Sequence, residues 1–217
     1  MNFEIDKAFN GGFKFAKKNY LLVWVNGFLA ILSTVLASIT IVGILIVPAI
    51  WAGYIESCLR IRRGKEVKMG VFFKAGFSQW GSFFILTVLC FLGFALGFLL
   101  LIIPGIYLMI AWYFVFYLKI DNPELTISEV FSKSMDLVSN VGWFKLFLFA
   151  LIIALPVNII DIFTFNLASV ILFPFIVMIQ VEAYILASGK EELVDKELIE
   201  EIRINEDLIN AINDIDN

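Results

Sequence analysis

The sequence predicts an all-α membrane protein that crosses the bilayer six times, as three helical hairpins that each follow a cytoplasmic interfacial amphipathic helix. Composition is the first reason: 61% of the 217 residues are apolar and 17% are charged, against about half and about a quarter in an average soluble domain. The second is that the apolar residues fall into runs long enough to cross a hydrocarbon core of about 30 Å. A threefold repetition of these runs is the third reason.

Three prolines mark the repetition. An apolar run reaches Pro48, Pro104 and Pro174 in turn, continues beyond each proline, and then ends in a charged segment. A short amphipathic stretch precedes each run. We therefore interpret the chain as three copies of one unit, in which each hairpin turns near its proline, followed by a tail. The predicted six-helix domain is 1–188, with repeats at about 1–64, 65–123 and 124–188, and the tail is 189–217.

The amphipathic elements come first in each copy. Residues 1–19 place lysines beside phenylalanines at near-helical spacing, a pattern typical of a helix that lies in the headgroup layer. Residues 65–82 and 124–142 also carry apolar side chains on one helical face. The second of these segments begins with Thr126 and Glu129, a pair that can form a capping box. We expect these helices to lie along the inner leaflet.

The membrane helices follow these elements. Trp80 and Trp143 stand where the chain would enter the bilayer, at the depth that indole side chains prefer. Pro104 is predicted in the first turn of the fourth helix or at a kink in it, since proline is tolerated in both places. Gly93 and Gly97 form a GxxxG motif, which favours close helix packing. The six predicted spans are 20–38, 41–60, 81–98, 101–119, 143–160 and 168–187.

Charge predicts the orientation. If the hairpins pair as above, every lysine and arginine lies on one side of the membrane. The positive-inside rule then places that side and both termini in the cytoplasm. We expect the chain to reside in the cell membrane. The net charge of -4 combines a mildly basic body with a tail of ten acidic and three basic residues. The tail is predicted to be helical, and to pack under the basic segment 60–74, self-associate or recruit another protein.

The sequence lacks the usual residues of catalysis and metal binding. It has no histidine, which excludes imidazole catalysis and histidine metal ligands. Cys58 and Cys90 belong to different predicted hairpins, so we expect two small apolar fillers rather than a disulfide. The sequence contains no phosphate-binding loop, nucleophile motif or metal-ligand cluster. We therefore predict no catalytic residue, no cofactor, no metal and no nucleic acid partner.

Two carboxylates form the candidate site. Ionisable groups inside a bilayer are costly and are functional candidates. Glu56 and Glu182 stand eight residues after the first and third prolines, whereas Trp112 has this position in the second copy. One interpretation is a polar vestibule that binds a cation, a proton or a lipid headgroup. The other is structural: Glu56 pairs with Arg60 one turn later, and Glu182 meets an interfacial lysine or water.

Short motifs along residues 5–188 carry a resemblance to known proteins. They are Ile103-Pro104-Gly105-Ile106, Asp121-Asn122-Pro123, Ser128 to Ser134 leading to Trp143, Leu59-Arg60, and Arg63-Gly64-Lys65-Glu66. With these motifs the chain resembles a group of uncharacterised prokaryotic membrane proteins. The group includes the membrane domain attached to some glycerophosphoryl diester phosphodiesterases and the YciC-like inner-membrane proteins. The resemblance implies six membrane helices but no reaction, because the phosphodiesterase activity belongs to a separate catalytic domain.

These observations favour a non-enzymatic integral membrane protein with a scaffold, envelope-maintenance or partner-binding role. Its expected partners are the lipid bilayer and a cytoplasmic or membrane protein bound through the acidic tail. The alternative is a small-solute or lipid transporter that uses a cytoplasm-facing vestibule with Glu56 and Glu182. A membrane-embedded enzyme is the least favoured, because the sequence offers no catalytic constellation.

Overall fold

The computed structural model describes residues 3–65, 67, 71–165, 167–191, 193–196, 199–200 and 203. Regular structure in these ranges is helical, without a β-strand. The helices are α1 (Ile5–Lys18), α2 (Tyr20–Ala37), α3 (Ile41–Arg62), α4 (Val71–Ser78), α5 (Trp80–Leu100), α6 (Ile102–Ala111), α7 (Val115–Asp121), α8 (Ile127–Val141), α9 (Trp143–Thr164) and α10 (Leu167–Ser188). Residues 193–196 are also helical. The predicted all-α class is confirmed for this part of the chain.

Within the described ranges, six segments are long and apolar enough to cross a membrane. Helices α2, α3, α5, α9 and α10 supply five of them, and α6 together with α7 supplies the sixth. Each segment has 18 to 22 residues, which matches the length that a bilayer core requires. The predicted spans agree with the observed helices to within a few residues at each end. The six helices indicate a multi-pass membrane protein.

Three of the six spans form the interior of the bundle. In an apolar 18-residue window of each span, between 44% and 61% of the residues are buried in α3, α6–α7 and α10, compared with 11% to 28% in α2, α5 and α9. Tyr54 of α3 stacks on Phe173 of α10, and Tyr117 of α7 stacks on Tyr184 of α10. The outer helices present a continuous apolar surface of a kind that soluble proteins avoid. The exposed side chains of this surface include Leu36, Phe91, Leu99, Ile162 and Phe163.

Each short helix packs against an inner helix. Helix α1 lies on α10, α4 lies on α3, and α8 lies on α6 and α7. Glycine permits the first two approaches, because a Cβ on Gly12 would overlap the Cα of Ile179 and a Cβ on Gly76 would overlap the carbonyl of Ala49. Helix α1, which the sequence places in the headgroup layer, therefore has a close protein neighbour along one face.

The fourth span consists of two helical segments. A turn at 112–114 separates α6 from α7. The hydroxyl of Ser134, on α8, donates to the carbonyl of Ala111 at 2.9 Å and accepts from the N–H of Phe114 at 3.3 Å. A side chain that enters the backbone ladder in this way is a known cause of helix breaks. The predicted helix 101–119 is thus one span that is broken at 112–114, and a side chain of the neighbouring helix α8 bonds to the backbone at the break.

The three prolines lie within helices. Pro104 is the third residue of α6 and so belongs to its first turn, which is one of the two positions predicted for it. Pro48 and Pro174 are the eighth residues of α3 and α10. The turn between α2 and α3 is at 38–40, so Pro48 follows that turn by two helical turns. Proline is tolerated inside membrane helices because neighbouring groups satisfy the freed carbonyls.

Helices α5 and α6 approach closely at the GxxxG motif. A Cβ on Gly93 would overlap the ring of Trp112, and a Cβ on Gly97 would lie 2.9 Å from the Cα of Gly105. The predicted close packing is confirmed, and it joins two helices of the same chain. Trp112 also contacts Phe131 of α8, with 4.7 Å between the ring centroids. Trp112 stands eight residues after Pro104, the spacing at which Glu56 and Glu182 follow Pro48 and Pro174, and its ring is packed between helices.

A short loop connects α7 to α8. The buried ammonium of Lys119 donates to the carbonyls of Pro123 and Leu125, both at 2.7 Å. The hydroxyl of Thr126 accepts from the N–H of Glu129, and the Glu129 carboxylate accepts from the N–H of Thr126, which confirms the predicted capping box. Hydrogen bonds from Thr126 hold the pKa of Glu129 below its usual range. The loop is thereby fixed against the end of α7.

Candidate functional site

Glu56 lies on α3 and forms an ion pair with Arg60. The Nη2 and Nε atoms of Arg60 both donate to Oε1 of Glu56, at 2.6 Å and 3.0 Å. The Arg60 side chain is 44% exposed, and the Glu56 side chain is 25% exposed. This contact is the pairing that the structural interpretation of Glu56 predicts. An exposed pair one helical turn apart contributes little to stability.

Glu182 is placed quite differently. It lies on α10 and accepts from Arg62 of α3, at 2.5 Å from Nε and 3.1 Å from Nη2. The side chains of Arg62 and Glu182 are 3% and 6% exposed. The expectation that Glu182 meets an interfacial lysine or water is wrong. Its partner is a buried arginine, because α3 and α10 pack against each other and bring both side chains into the interior.

Two further groups hold Arg62. Its Nη1 atom donates to the carboxylate of Asp195 at 3.0 Å, and its guanidinium carbon lies 4.4 Å from the ring centroid of Phe15. A buried charge is tolerated when it is paired and its donors are used, and the planar guanidinium can pair with a carboxylate through two bonds at once. Arg62 therefore joins α1, α3, α10 and the segment after α10.

A second buried cluster surrounds Asp121, the last residue of α7. Its carboxylate accepts hydrogen bonds from Arg63, from Lys190 at 2.6 Å and from the hydroxyl of Tyr184 at 2.9 Å. The Asp121 side chain is 4% exposed. The sequence indicated this aspartate only as part of the motif Asp121-Asn122-Pro123. The neighbouring Arg62 and Arg63 thus pair with two different helices, α10 and α7.

Helices α3, α7 and α10 end in the same region, which we call the charged end. Its residues are Glu56, Arg60, Arg62, Arg63, Asp121, Glu182 and Lys190. Val194, in the predicted tail, is 2% exposed, and the Asp195 contact lies directly after it. The first part of the tail is therefore packed on the bundle, which is one of the options that the sequence left open. Most of the tail beyond residue 196 lies outside the described residues.

A cavity of about 540 Å³ opens at the charged end. It lies between α3, α4, the start of α5 and the α7–α8 loop. A smaller cavity of about 280 Å³ adjoins it and shares the wall of Glu56 and Arg60. The two candidate glutamates therefore have different surroundings: Glu56 lines a cavity, and Glu182 is enclosed in an ion pair. The cavity lining is Glu56, Arg60, Lys74, Ser78, Gln79, Phe83, Ile120 and Pro123.

The charged end offers ionic contacts and the two adjoining cavities. In the described part of the chain, no group of three or more histidine, cysteine, aspartate or glutamate side chains is arranged to hold a metal ion. Cys58 and Cys90 are both free and buried. The chemistry available there is the recognition of charged groups by arginine, lysine and glutamate side chains.

No protein-family model, no curated protein and no solved structure matches this chain.

Proposed function

We propose that the chain is a non-enzymatic protein of the cell membrane that acts as a scaffold and binds a protein partner through its acidic tail. The anchoring of the tail carries this proposal. Lys190 bonds Asp121, Asp195 bonds Arg62, and Val194 between them is buried. The acidic segment therefore begins at a fixed point on the bundle, as a scaffold requires. Its charge suits a partner with a basic surface.

Three hairpins are the arrangement proposed for the bundle. Helices α2 and α3, α5 and α6, and α9 and α10 are in contact within each pair, and the connections within the pairs are short. Ion pairs also bring the ends of α3, α7 and α10 together. Both observations support three hairpins that start and finish on the same side.

A pseudo-threefold arrangement of the three repeats is also proposed, and the contacts of the short helices support it. Helix α4 packs on the inner helix of the first copy, α8 on that of the second, and α1 on that of the third. Each short helix approaches through a small residue: Gly76, Ser134 and Gly12. The first helix of the chain thus packs on the last membrane helix and closes the ring. This pattern supports an internal repeat, and it agrees with the proposed likeness to the phosphodiesterase-associated membrane domain and the YciC-like proteins.

The charged end is proposed to face the cytoplasm. It carries the basic residues of α3 and of the segment after it, and the positive-inside rule places such residues on the cytoplasmic side. Helices α1 and α8 are amphipathic, with lysines on their outer faces, and would lie near the headgroup layer at this side. Both termini are then cytoplasmic.

Crosslinking in native membranes tests the scaffold role. The full chain is compared with a chain that ends at Lys196, and Glu56→Gln serves as the matched control because it leaves the tail intact. We expect the partner crosslink to disappear in the truncated chain and to persist in Glu56→Gln. A crosslink that survives truncation would contradict the proposed role of the tail.

Transport is the second candidate function, and the cavity beside Glu56 is the observation that favours it. Glu182 does not line that cavity. Of the two carboxylates, only Glu56 could therefore take part in a transport site there. The same Glu56→Gln variant separates the two functions. A loss of solute flux in proteoliposomes with the partner crosslink intact would favour the transporter.

A further inference from the structure

The cavity of about 540 Å³ has the features of a binding site. Its volume lies within the range of about 300–1000 Å³ that is usual for small-molecule sites. One wall is polar, with Glu56 and Arg60 from α3 and Lys74 from α4. The apolar side chains of the lining are Phe83 at the start of α5 and Ile120 and Pro123 beside α7.

Several polar atoms of this wall have no partner among the described residues. Both bonds from Arg60 reach the same oxygen of Glu56, Oε1. The second oxygen, Oε2, and the remaining Nη1 of Arg60 make no hydrogen bond within the described part of the chain. Lys74 is exposed and likewise forms no ion pair there. The wall therefore offers two cationic donors and one anionic acceptor to a ligand.

We propose that this cavity binds the headgroup of a phospholipid that carries a primary amine. The phosphodiester accepts hydrogen bonds from Arg60 and Lys74, because guanidinium and ammonium groups are the usual protein partners of phosphate. The amine donates to Oε2 of Glu56. The glycerol portion lies against Phe83 and Ile120. All three charged side chains of the wall are used by such a ligand.

A primary ammonium fits this wall better than a quaternary one. A carboxylate oxygen binds an N–H donor, and a trimethylammonium group has none. Quaternary ammonium groups are instead held by cages of several aromatic rings, and the described lining contains a single ring, that of Phe83. The cavity therefore distinguishes ethanolamine from choline headgroups.

The position of the cavity favours a membrane lipid as the source of the headgroup. Helix α5 begins at Trp80, directly after Gln79 of the lining, and the indole of Trp80 donates to the carbonyl of Leu45 on α3 at 2.8 Å. The outer face of α5 then continues as exposed apolar side chains. Acyl chains of a bound lipid would lie along this face, which includes Ile85, Val88, Leu89 and Leu92.

Native mass spectrometry of the purified full chain, released from detergent micelles, tests this site. The probes are dihexanoyl phosphatidylethanolamine, dihexanoyl phosphatidylcholine and free phosphoethanolamine. We expect the ethanolamine lipid to bind at least about tenfold more tightly than the choline lipid and than the free headgroup. Lys74→Gln should weaken it by about tenfold or more, since a charge-assisted hydrogen bond is lost.

Two other variants complete the test, a control at Lys14 and a second site variant at Glu56. Lys14→Gln removes an exposed lysine of α1, outside the cavity, and should leave the affinity unchanged. Glu56→Gln should remove the preference for ethanolamine over choline. Lys74 is exposed and makes no ion pair among the described residues, so its variant keeps the fold. Equal binding by the wild type and Lys74→Gln, or equal binding of both lipids to the wild type, would overturn the proposal. Free phosphoethanolamine that binds as tightly as its lipid would overturn the lipid assignment.

Discussion

At the scale of single residues, the two glutamates that the sequence singled out have different roles. Glu56 is part of an exposed pair at the edge of a cavity. Glu182 is part of a buried pair that joins two inner helices. A broken pair in the interior leaves an uncompensated charge, whereas a broken pair at the surface leaves a charge that water can solvate. The two sites therefore differ in what they contribute to stability.

We expect Glu182→Gln to lower the free energy of unfolding by about 3 kcal/mol or more, because Arg62 loses its buried partner. Titration of the purified protein with a denaturing detergent measures this change. The double variant Arg62→Met, Glu182→Met should recover most of the loss, since apolar groups replace both charges.

Glu56→Gln is the matched control for this prediction. It removes a carboxylate of the same kind from an exposed pair and should cost less than about 1 kcal/mol. Equal losses in Glu56→Gln and Glu182→Gln would show that the ion pair of Glu182 is not buried in the protein interior.

The sequence could predict one of these pairs and not the other. Glu56 and Arg60 are one helical turn apart, so helical geometry alone brings them together. Arg62 and Glu182 are 120 residues apart, and their contact depends on how α3 packs against α10. The same holds for Asp121, which meets partners from two distant segments. Periodicity gives the face of a helix but does not identify the helix that covers it.

At the scale of helices, the bilayer explains why the six spans could be predicted so closely. A run of about 20 apolar residues is required to cross it, and charged or aromatic residues mark its borders. The break at 112–114 could not be predicted in the same way. It depends on the hydroxyl of Ser134, which comes from another helix. Helix ends follow from local sequence, whereas interruptions follow from tertiary packing.

Helix α1 offers a test of packing at this scale. In an isolated helix, Gly12→Ala would be stabilising, because alanine favours the helix by about 1 kcal/mol. Against Ile179 the added methyl has no space, so we expect Gly12→Ala to weaken the docking of α1 by about 1–3 kcal/mol. Hydrogen exchange of the amides of 5–18 should become faster.

Asn10→Ala is the control, because Asn10 is exposed on the same helix. It should leave the exchange of α1 unchanged or slow it slightly. Slower exchange in Gly12→Ala would mean that α1 lies free on the membrane surface, as the sequence alone suggested, and not against α10.

At the scale of the whole molecule, charge and hydropathy divide the bundle into two parts. The outer helices expose large apolar side chains along most of their length. The inner helices end in a cluster of buried and half-buried ion pairs that also holds α1 and the start of the tail. We propose that the membrane part fixes the position of the charged end, and that recognition of lipids and proteins occurs there.

Cysteine labelling in intact cells tests this central claim most directly. Single cysteines replace Ser38, Phe165, Lys14 or Lys133, all exposed positions, in a chain that carries Cys58→Ala and Cys90→Ala. A membrane-impermeant maleimide should label positions 38 and 165 in intact cells, and positions 14 and 133 only after the membrane is disrupted. Labelling of 14 or 133 in intact cells, or of all four positions from the same side, would contradict three hairpins with a cytoplasmic charged end.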